Sequence, residues 1–255
     1  MPKENTPEDS SENTTHFGFS TVAEDRKAGL VRDIFDSVAP KYDLMNDLMS
    51  LGVHRLWKKV LIDWLRPNAS MNLLDVGGGT GDVAFEFLKN GGGQVTVVDI
   101  NKEMLDVGQD RAIDKGILDN ITWINGDAEN LPIDDHSVDA YTISFCIRNV
   151  TNIERALTEA RRVLKPGGRF LCLEFSHVAL PALKGIYDTY SFKVLPMIGS
   201  QIAGDREAYQ YLAESIRQFP SQDDFATMIE AAGLSQVKYS NLSGGIAAIH
   251  SAWRI

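Results

Sequence analysis

The run Leu73-Leu74-Asp75-Val76-Gly77-Gly78-Gly79-Thr80-Gly81-Asp82 constrains this chain more than any other segment. An apolar strand carrying a carboxylate runs into glycines and then into a helix. That order is the first βα unit of an open α/β sheet, where ligands bind beyond the carboxyl ends of the strands. The helix start offers free backbone N–H groups and the positive end of a dipole. Glycines let a ligand lie against the backbone where a Cβ would clash. The segment therefore predicts a site for a nucleotide-like cofactor.

The spacing narrows the cofactor. Gly77, Gly79 and Gly81 read G-x-G-x-G, whereas the dinucleotide fingerprint G-x-G-x-x-G needs glycine where Asp82 stands. A carboxylate there repels a pyrophosphate. A ligand with an amino group and a sulfonium cation has the opposite need, so Asp75 and Asp82 favour S-adenosylmethionine over NAD. Taken alone, the turn reads equally well as a tight βα connection.

The strands that follow supply context. Gln94–Asp99 ends in an acid about twenty residues past the glycines, where a carboxylate is expected on a ribose diol. The segment from Ile121 leads to Asp127, suited to accept from an adenine amino group, and to Ala128, whose backbone N–H suits a ring nitrogen. Val138–Cys146 reads as a fourth strand. Phe170–Phe175 reads as a fifth, after the stop signals Lys165-Pro166-Gly167-Gly168. Each acid alone can be a helix N-cap; three in succession beside the glycine turn are hard to explain that way. Gln236–Leu242, the Ser243-Gly244-Gly245 turn and Ile246–Ile255 read as an antiparallel hairpin.

The segments flanking this core are expected to govern substrate choice. Arg26–Val38 places Leu30, Val31, Ile34, Phe35 and Val38 on one helical face. Helices over Asp43–Leu51 and His54–Leu65 follow, and all three would cap the cleft. The insertion His177–Phe219 holds four of the seven tyrosines, Tyr187, Tyr190, Tyr209 and Tyr211. As a whole it suits a pocket wall, although any one ring serves packing as readily. The expected layout is a disordered polar head over 1–15 and one domain over 16–255. Within it, 16–66 is a helical lid, 71–176 the cofactor core, 177–219 a substrate cap, and 220–255 a helix and hairpin.

Composition excludes some partners. A net charge of −10 argues against nucleic acid, whose phosphates would repel such a surface. No uninterrupted apolar run approaches the roughly 18 residues of a membrane span. The head carries neither a secretory nor an Arg-rich transit pattern, which favours a bacterial protein, although a processed organellar one would look similar; the expected location is cytoplasmic. Cys146 and Cys172 fall in expected core strands, as buried free thiols of a reducing compartment, so neither a disulfide nor a metal site is expected.

Two longer motifs go further. Tyr42-Asp43-Leu44-Met45-Asn46-Asp47-Leu48-Met49-Ser50-Leu51-Gly52-Val53-His54-Arg55-Leu56-Trp57 and Arg162-Val163-Leu164-Lys165-Pro166-Gly167-Gly168-Arg169-Phe170-Leu171-Cys172-Leu173-Glu174-Phe175-Ser176 look like signatures of one family. With Thr15 to Phe19, Ile143 to Phe145 and Arg148 to Val150, they make the chain resemble the class I methyltransferases, and within them the ubiquinone/menaquinone C-methyltransferase family. The lysine–proline–glycine–glycine piece is common among methyltransferases; the Tyr42 to Trp57 run is specific. The resemblance implies an α/β, Rossmann-like fold: a mostly parallel seven-stranded sheet with a C-terminal antiparallel hairpin and helices on both faces. It implies S-adenosylmethionine held by Asp75, Gly77, Gly79, Thr80, Gly81, Asp99, Asp127, Ala128 and Ser144.

The implied substrate is a benzoquinol or naphthoquinol ring with a polyprenyl tail. Ring carbon is a poor nucleophile until a ring hydroxyl ionises and pushes density onto the ortho and para carbons. The protein must position two reactants, which can lower the barrier by roughly 7–11 kcal/mol, and favour the phenolate. Arg148, Asn149 and Tyr42 are the catalytic candidates, and Tyr187 and Tyr190 the substrate-binding ones. Arg148 would hold a phenolate or orient a water; an ion pair to Glu174 is the structural alternative. Asn149 and Tyr42 would bond quinol oxygens. His177 is more simply structural, and Asp43, Asn46 and Asp47 would cap the lid helices.

The helix around His54 to Leu61 mixes cations with apolar residues. It suits either a membrane surface, as a polyprenyl substrate would require, or packing with a solvated basic face. Peripheral contact with the inner membrane, a quinone-biosynthesis assembly and a homodimer are the partners so implied. Two other functions stay open. One is methyl transfer to a sterol, a lipid or a phenolic oxygen on the same fold. The other is a cofactor-binding scaffold without turnover.

Overall fold

A computed structural model describes residues 14–38, 42–50, 52–181, 185, 187, 189, 190, 197 and 206–255. A short antiparallel hairpin, β1 (Thr14–Phe17) and β2 (Ser20–Ala23), precedes three helices: α1 (Glu24–Val38), α2 (Tyr42–Ser50) and α3 (His54–Leu65). The core then alternates β3 (Asn72–Val76), α4 (Asp82–Lys89), β4 (Gln94–Asp99), α5 (Lys102–Asp114) and β5 (Ile121–Asn125). It continues through β6 (Val138–Ser144), a 3-10 turn (Ile147–Asn149), α6 (Ile153–Val163) and β7 (Leu164–Phe175). Helices α7 (Arg206–Gln218) and α8 (Gln222–Ala231) lead to β8 (Ser235–Leu242) and β9 (Ala247–Trp253).

Seven strands form one sheet in the order β5-β4-β3-β6-β7-β9-β8. All pairings are parallel except those of β9, which runs antiparallel to both β7 and β8. The chain steps outward from β3 through β4 and β5, then crosses back to place β6 on the other side of β3. The ends of β3 and β6 therefore form the topological switch point, where connecting loops diverge and leave a crevice.

Side chains of a strand alternate between faces. Leu73, Val97, Ala140 and Leu171 join one buried cluster, with α3, α4 and α7. Their neighbours Leu74, Val98, Tyr141 and Cys172 join another, with α6 and α8. Both faces are thus covered by helices. Among the described residues no helix is long and apolar enough to cross a membrane.

The structure departs from the sequence reading in several places. The expected polar head over 1–15 overlaps the N-terminal hairpin, in which Thr14 and Thr15 pair with Ala23 and Val22. The hairpin's two-residue turn, Gly18-Phe19, carries glycine at φ +57° in the first central position, a signal the sequence reading does not use. The fourth strand stops at Ser144 rather than Cys146, because Phe145 takes φ +56° and turns the chain. The fifth strand begins at Leu164: the Lys165 to Gly168 piece, expected as a stop, lies in the strand, where Gly167 N–H donates to Arg254 O at 2.7 Å and Arg254 N–H to Gly168 O at 2.9 Å. A tertiary partner here outweighs local turn propensity.

Candidate functional site

The glycine turn sits at the switch point. Gly77, Gly79 and Gly81 take φ of +60°, +51° and +84°, a region other residues enter only with strain. A Cβ on Gly77 would overlap the Cys146 side chain, and one on Gly81 would come within 2.6 Å of Trp123. The turn is thus left-handed backbone wedged between β6's end and Trp123. Gly81 caps α4, whose first residue is Asp82.

A cleft opens beside this turn. Its floor is Val76, Gly77 and Gly79, with Asp99 to Asn101 and Gly126 to Glu129 on one side. Phe145, Cys146 and Asn149 to Thr151 form the opposite wall, and Ala28, Val31, Arg32 and Phe35 of α1 close over it. Of the expected cofactor residues, Gly77, Gly79, Asp99, Asp127 and Ala128 come together here.

The acids are held in defined positions. Asp99 Oδ2 accepts from Gly79 N–H and Oδ1 from Asn101 N–H, both at 2.9 Å. Burial raises its carboxyl to about 6, while those N–H groups pull the other way. Each oxygen keeps further lone-pair capacity, as a ribose diol requires. Asp127 Oδ1 accepts from Glu129 N–H at 2.9 Å, and Glu129 Oε1 in turn accepts from Thr151 N–H and Asn152 N–H. That carboxylate ties the cleft's two walls together. The bare backbone of Gly77 and Gly79 beside an acid fits the adenosyl and methionine portions of S-adenosylmethionine.

Other expected cofactor residues lie behind the cleft. Asp75 is 1% exposed, accepts from Thr142 Oγ1 at 2.7 Å through Oδ1, and leaves Oδ2 without a partner. Its carboxyl is raised to about 7 by burial. Thr80 Oγ1 accepts from Arg111 at 2.6 Å. Ser144 is buried at the end of β6, its hydroxyl without a partner among the described residues.

Asp82 is corrected most plainly. It does not face the cleft but joins Lys58 Nζ and Arg111 Nη2, each at 2.7 Å. Despite burial, those cations hold its carboxyl down at about 2. Of the cations on α3, Arg55 and Lys59 are exposed as a solvated basic face requires, whereas Lys58 turns inward to this pairing; Leu56 is 58% exposed.

The 3-10 turn after β6 separates the catalytic candidates. Asn149 lines the cleft. Arg148 points away, its side chain 2% exposed, with Nη1 donating to Glu174 Oε1 at 2.6 Å and to Phe145 O at 2.7 Å. The structural alternative for Arg148, the ion pair with Glu174, is thus present. Burial raises the Glu174 carboxyl, and the Arg148 charge opposes that. Arg148 borders a second cavity behind the turn, lined also by Lys27 and Tyr211.

Tyr42 opens α2, but its side chain lies outside what the structure describes. Tyr187 is buried and Tyr190 donates to Leu48 O at 2.5 Å; neither borders the cleft. Much of the expected cap, 182–184, 186, 188, 191–196 and 198–205, lies outside the described residues. His177 bonds Phe219 O at 2.7 Å, a structural role. Asp47 does not cap α2 but binds His54 and Arg55, whereas Ser50 Oγ accepts from His54 N–H at 3.1 Å at the start of α3.

Sequence reasoning missed Cys146, Phe145 and Glu129 as walls of the cleft, whereas α1 closes over it as expected, with Ala28 and Arg32 beside its apolar face. Val31 and Phe35, on that apolar face, line the cleft. The Tyr42 to Trp57 signature gains a physical reading. Its last residue is 3% exposed, packs on Phe145 and Phe175, and donates from Nε1 to Ser243 Oγ at 3.0 Å. The run thereby secures the lid to the sheet near the cleft.

Comparison with known proteins agrees with this geometry. The model of the ubiE/COQ5 methyltransferase family matches residues 20–254. The chain is 56% identical over 243 residues to the ubiquinone/menaquinone biosynthesis C-methyltransferase UbiE of Brucella abortus, covering 94% of this chain and 90% of that one. It is 55% identical over 248 residues to the UbiE of Roseobacter denitrificans, covering 97% and 99%. Among solved structures, a SAM-dependent methyltransferase from Thermotoga maritima superposes with a TM-score of 0.64 at 21% identity, over 88% of this chain and 100% of that one. The [4+2]-cyclase SpnF superposes with a TM-score of 0.67 at 16% identity, over 89% and 96%. The last two speak for the fold alone, since one fold hosts different chemistries. On the full-length sequence matches, the chain belongs to the ubiE/COQ5 methyltransferase family.

Proposed function

We propose that this protein uses S-adenosylmethionine to C-methylate the ring of a polyprenyl benzoquinol, a demethylmenaquinol, or both, in ubiquinone and menaquinone biosynthesis. The observation that carries the reading is the cleft at the switch point, which brings Gly77, Gly79, Asp99, Asp127 and Ala128 within one cavity and faces them with Asn149. Family membership supplies the reaction class.

Asp99 would hold the ribose hydroxyls and Asp127 with Ala128 the adenine edge. Gly77 and Gly79 would let the cofactor's methionine portion lie against the backbone. When bound, S-adenosylmethionine supplies an electrophilic methyl group. The chain's own task is to orient a quinol, keep out water and favour its phenolate. Val31, Phe35 and Phe145 offer an apolar wall that packs against a flat ring and excludes solvent. Asn149, through its amide N–H groups, would donate to a ring oxygen and lower the cost of ionising it. The ion pair of Arg148 with Glu174 anchors the turn that carries Asn149, so Arg148 acts through position. Tyr42 would reach a second ring oxygen from the lid. Tyr187 and Tyr190 would shape the cap beyond the cleft.

The polyprenyl tail belongs in lipid, so peripheral membrane contact accompanies this reading; exposed Leu56 on α3 and Leu180 after β7 support it. The test is methyl transfer from labelled S-adenosylmethionine to a reduced short-tail benzoquinol and a demethylnaphthoquinol. A ring-carbon methyl located by mass spectrometry on either would support the reading. Cofactor binding with transfer to neither would refute it.

A further inference from the structure

Asn149 has a primary amide, whose two ends differ chemically: one accepts hydrogen bonds and the other donates them. Only the donor end can stabilise a forming phenolate; the carbonyl end would repel it. Holding the turn's backbone does not decide which end faces the cleft, because the amide can still rotate.

The structure holds that rotation from an unexpected place. Tyr211, on α7, donates its hydroxyl to Asn149 Oδ1 at 3.0 Å in a buried contact between residues 62 apart in sequence. Its ring stacks on Phe17 of β1, with centroids 4.4 Å apart and planes at 26°. Burial raises the phenol well above its ordinary value, so it remains a proton donor. Among the described residues, Asn149 Oδ1 is the acceptor this hydroxyl reaches. Tyr211 borders the cavity behind the turn, and Asn149 borders the cleft in front. With its carbonyl end occupied from behind, the amide has its Nδ2 end left for the front.

We propose that Tyr211 is a positioning residue: its hydroxyl locks the Asn149 amide so that the donor end faces the quinol oxygen. This rests on the reading of Asn149 given above. It also makes the N-terminal hairpin part of the device, because Phe17 braces the Tyr211 ring.

The test is a double-mutant cycle with Tyr211→Phe and Asn149→Ala, following kcat, KM for both substrates and thermal stability. Tyr211→Phe keeps the stacked ring and removes one oxygen. It should lower kcat about tenfold, the scale of one positioned hydrogen bond, with KM for S-adenosylmethionine unchanged. The kcat–pH profile should shift to higher pH, because the phenolate is less favoured. In an Asn149→Ala background the same change should do nothing beyond twofold. A wild-type kcat for Tyr211→Phe, with Asn149→Ala impaired, would overturn the proposal and leave the role of Asn149 standing. Equal fractional losses in both backgrounds would overturn it too, since Tyr211 would then act by another route. A wild-type kcat for Asn149→Ala would instead remove the reading beneath it. Asn149→Asp provides a check that leaves Tyr211 intact, because it keeps an acceptor for the hydroxyl and removes the donor end. It should be as slow as Asn149→Ala, and activity within twofold of wild type would overturn the proposal.

Discussion

Replacing Asp82 by asparagine removes the carboxylate that joins α3, α4 and α5. Its pKa, lowered from 3.8 to about 2, reports how strongly the native state prefers the charged form. At about 1.4 kcal/mol per tenfold, this corresponds to about 2 kcal/mol of stability. A depressed carboxyl stabilises the fold above the unfolded value of 3.8, and that contribution disappears as pH falls through the native value of about 2. The substitution also strands Lys58, whose side chain is 10% exposed. Removing one member of a buried pair costs roughly 3–5 kcal/mol, most of it from the uncompensated charge. Asp82 is 22% exposed and Arg111 27%, so solvent softens the loss. The expected total for Asp82→Asn is about 2–4 kcal/mol at neutral pH, a fall in Tm of about 5–15 °C for a chain of this size. Urea unfolding at about pH 7 and at about pH 3 would read it, the difference from wild type shrinking at the lower pH. Lys58→Met on top of Asp82→Asn should recover much of the loss, because the stranded charge goes with it. A loss below about 1 kcal/mol, or no rescue by Lys58→Met, would refute the reasoning.

Three other measurements address the site. Asp99, at about 6, gains a proton as pH falls through that value, so affinity for S-adenosylhomocysteine by calorimetry should be flat above about pH 7 and fall about tenfold per unit below 6; Asp99→Asn should bind weakly with no such slope. Asp75 is raised to about 7, so its ionised form destabilises the fold as pH rises from 3.8 through 7; Asp75→Asn, still able to accept from Thr142, should raise Tm at about pH 8 by an amount worth about 2–4 kcal/mol, by less than half of that near pH 5, and gain little near pH 3. Gly77→Ala places a Cβ into Cys146 at φ +60°, and should abolish cofactor binding by calorimetry while costing about 1–3 kcal/mol in urea unfolding.

Much of the site was legible in the chain because its signals are local. A glycine turn after an apolar strand works through backbone geometry, and Asp99, Asp127 and Ala128 follow strand ends that period-two patterning marks. Gly77 and Gly79 of that turn line the cleft together with Asp99, Asp127 and Ala128. Asp82 misled, because a carboxylate looks the same in sequence whether it faces a ligand or a lysine. Lys58 lies 24 residues before Asp82, and no local pattern announces that they meet. The orientation of Arg148 was undecidable for the same reason: Glu174 and the Phe145 carbonyl compete for it only once β6 and β7 lie side by side.

By itself, the sequence determined the α/β class, the parallel core strands and the glycine-floored place where a cofactor lies. Strand alternation and glycine turns depend on neighbours within a few residues, so they survive reading as a string. Tertiary structure alone decided which polar groups face the cleft and which tie the scaffold together. It turned Asp82 and Arg148 inward, closed α1 over the glycines, and brought Tyr211 from α7 against Asn149. Those outcomes rest on burial and on charges finding partners tens of residues away, and burial has no value until the chain has folded.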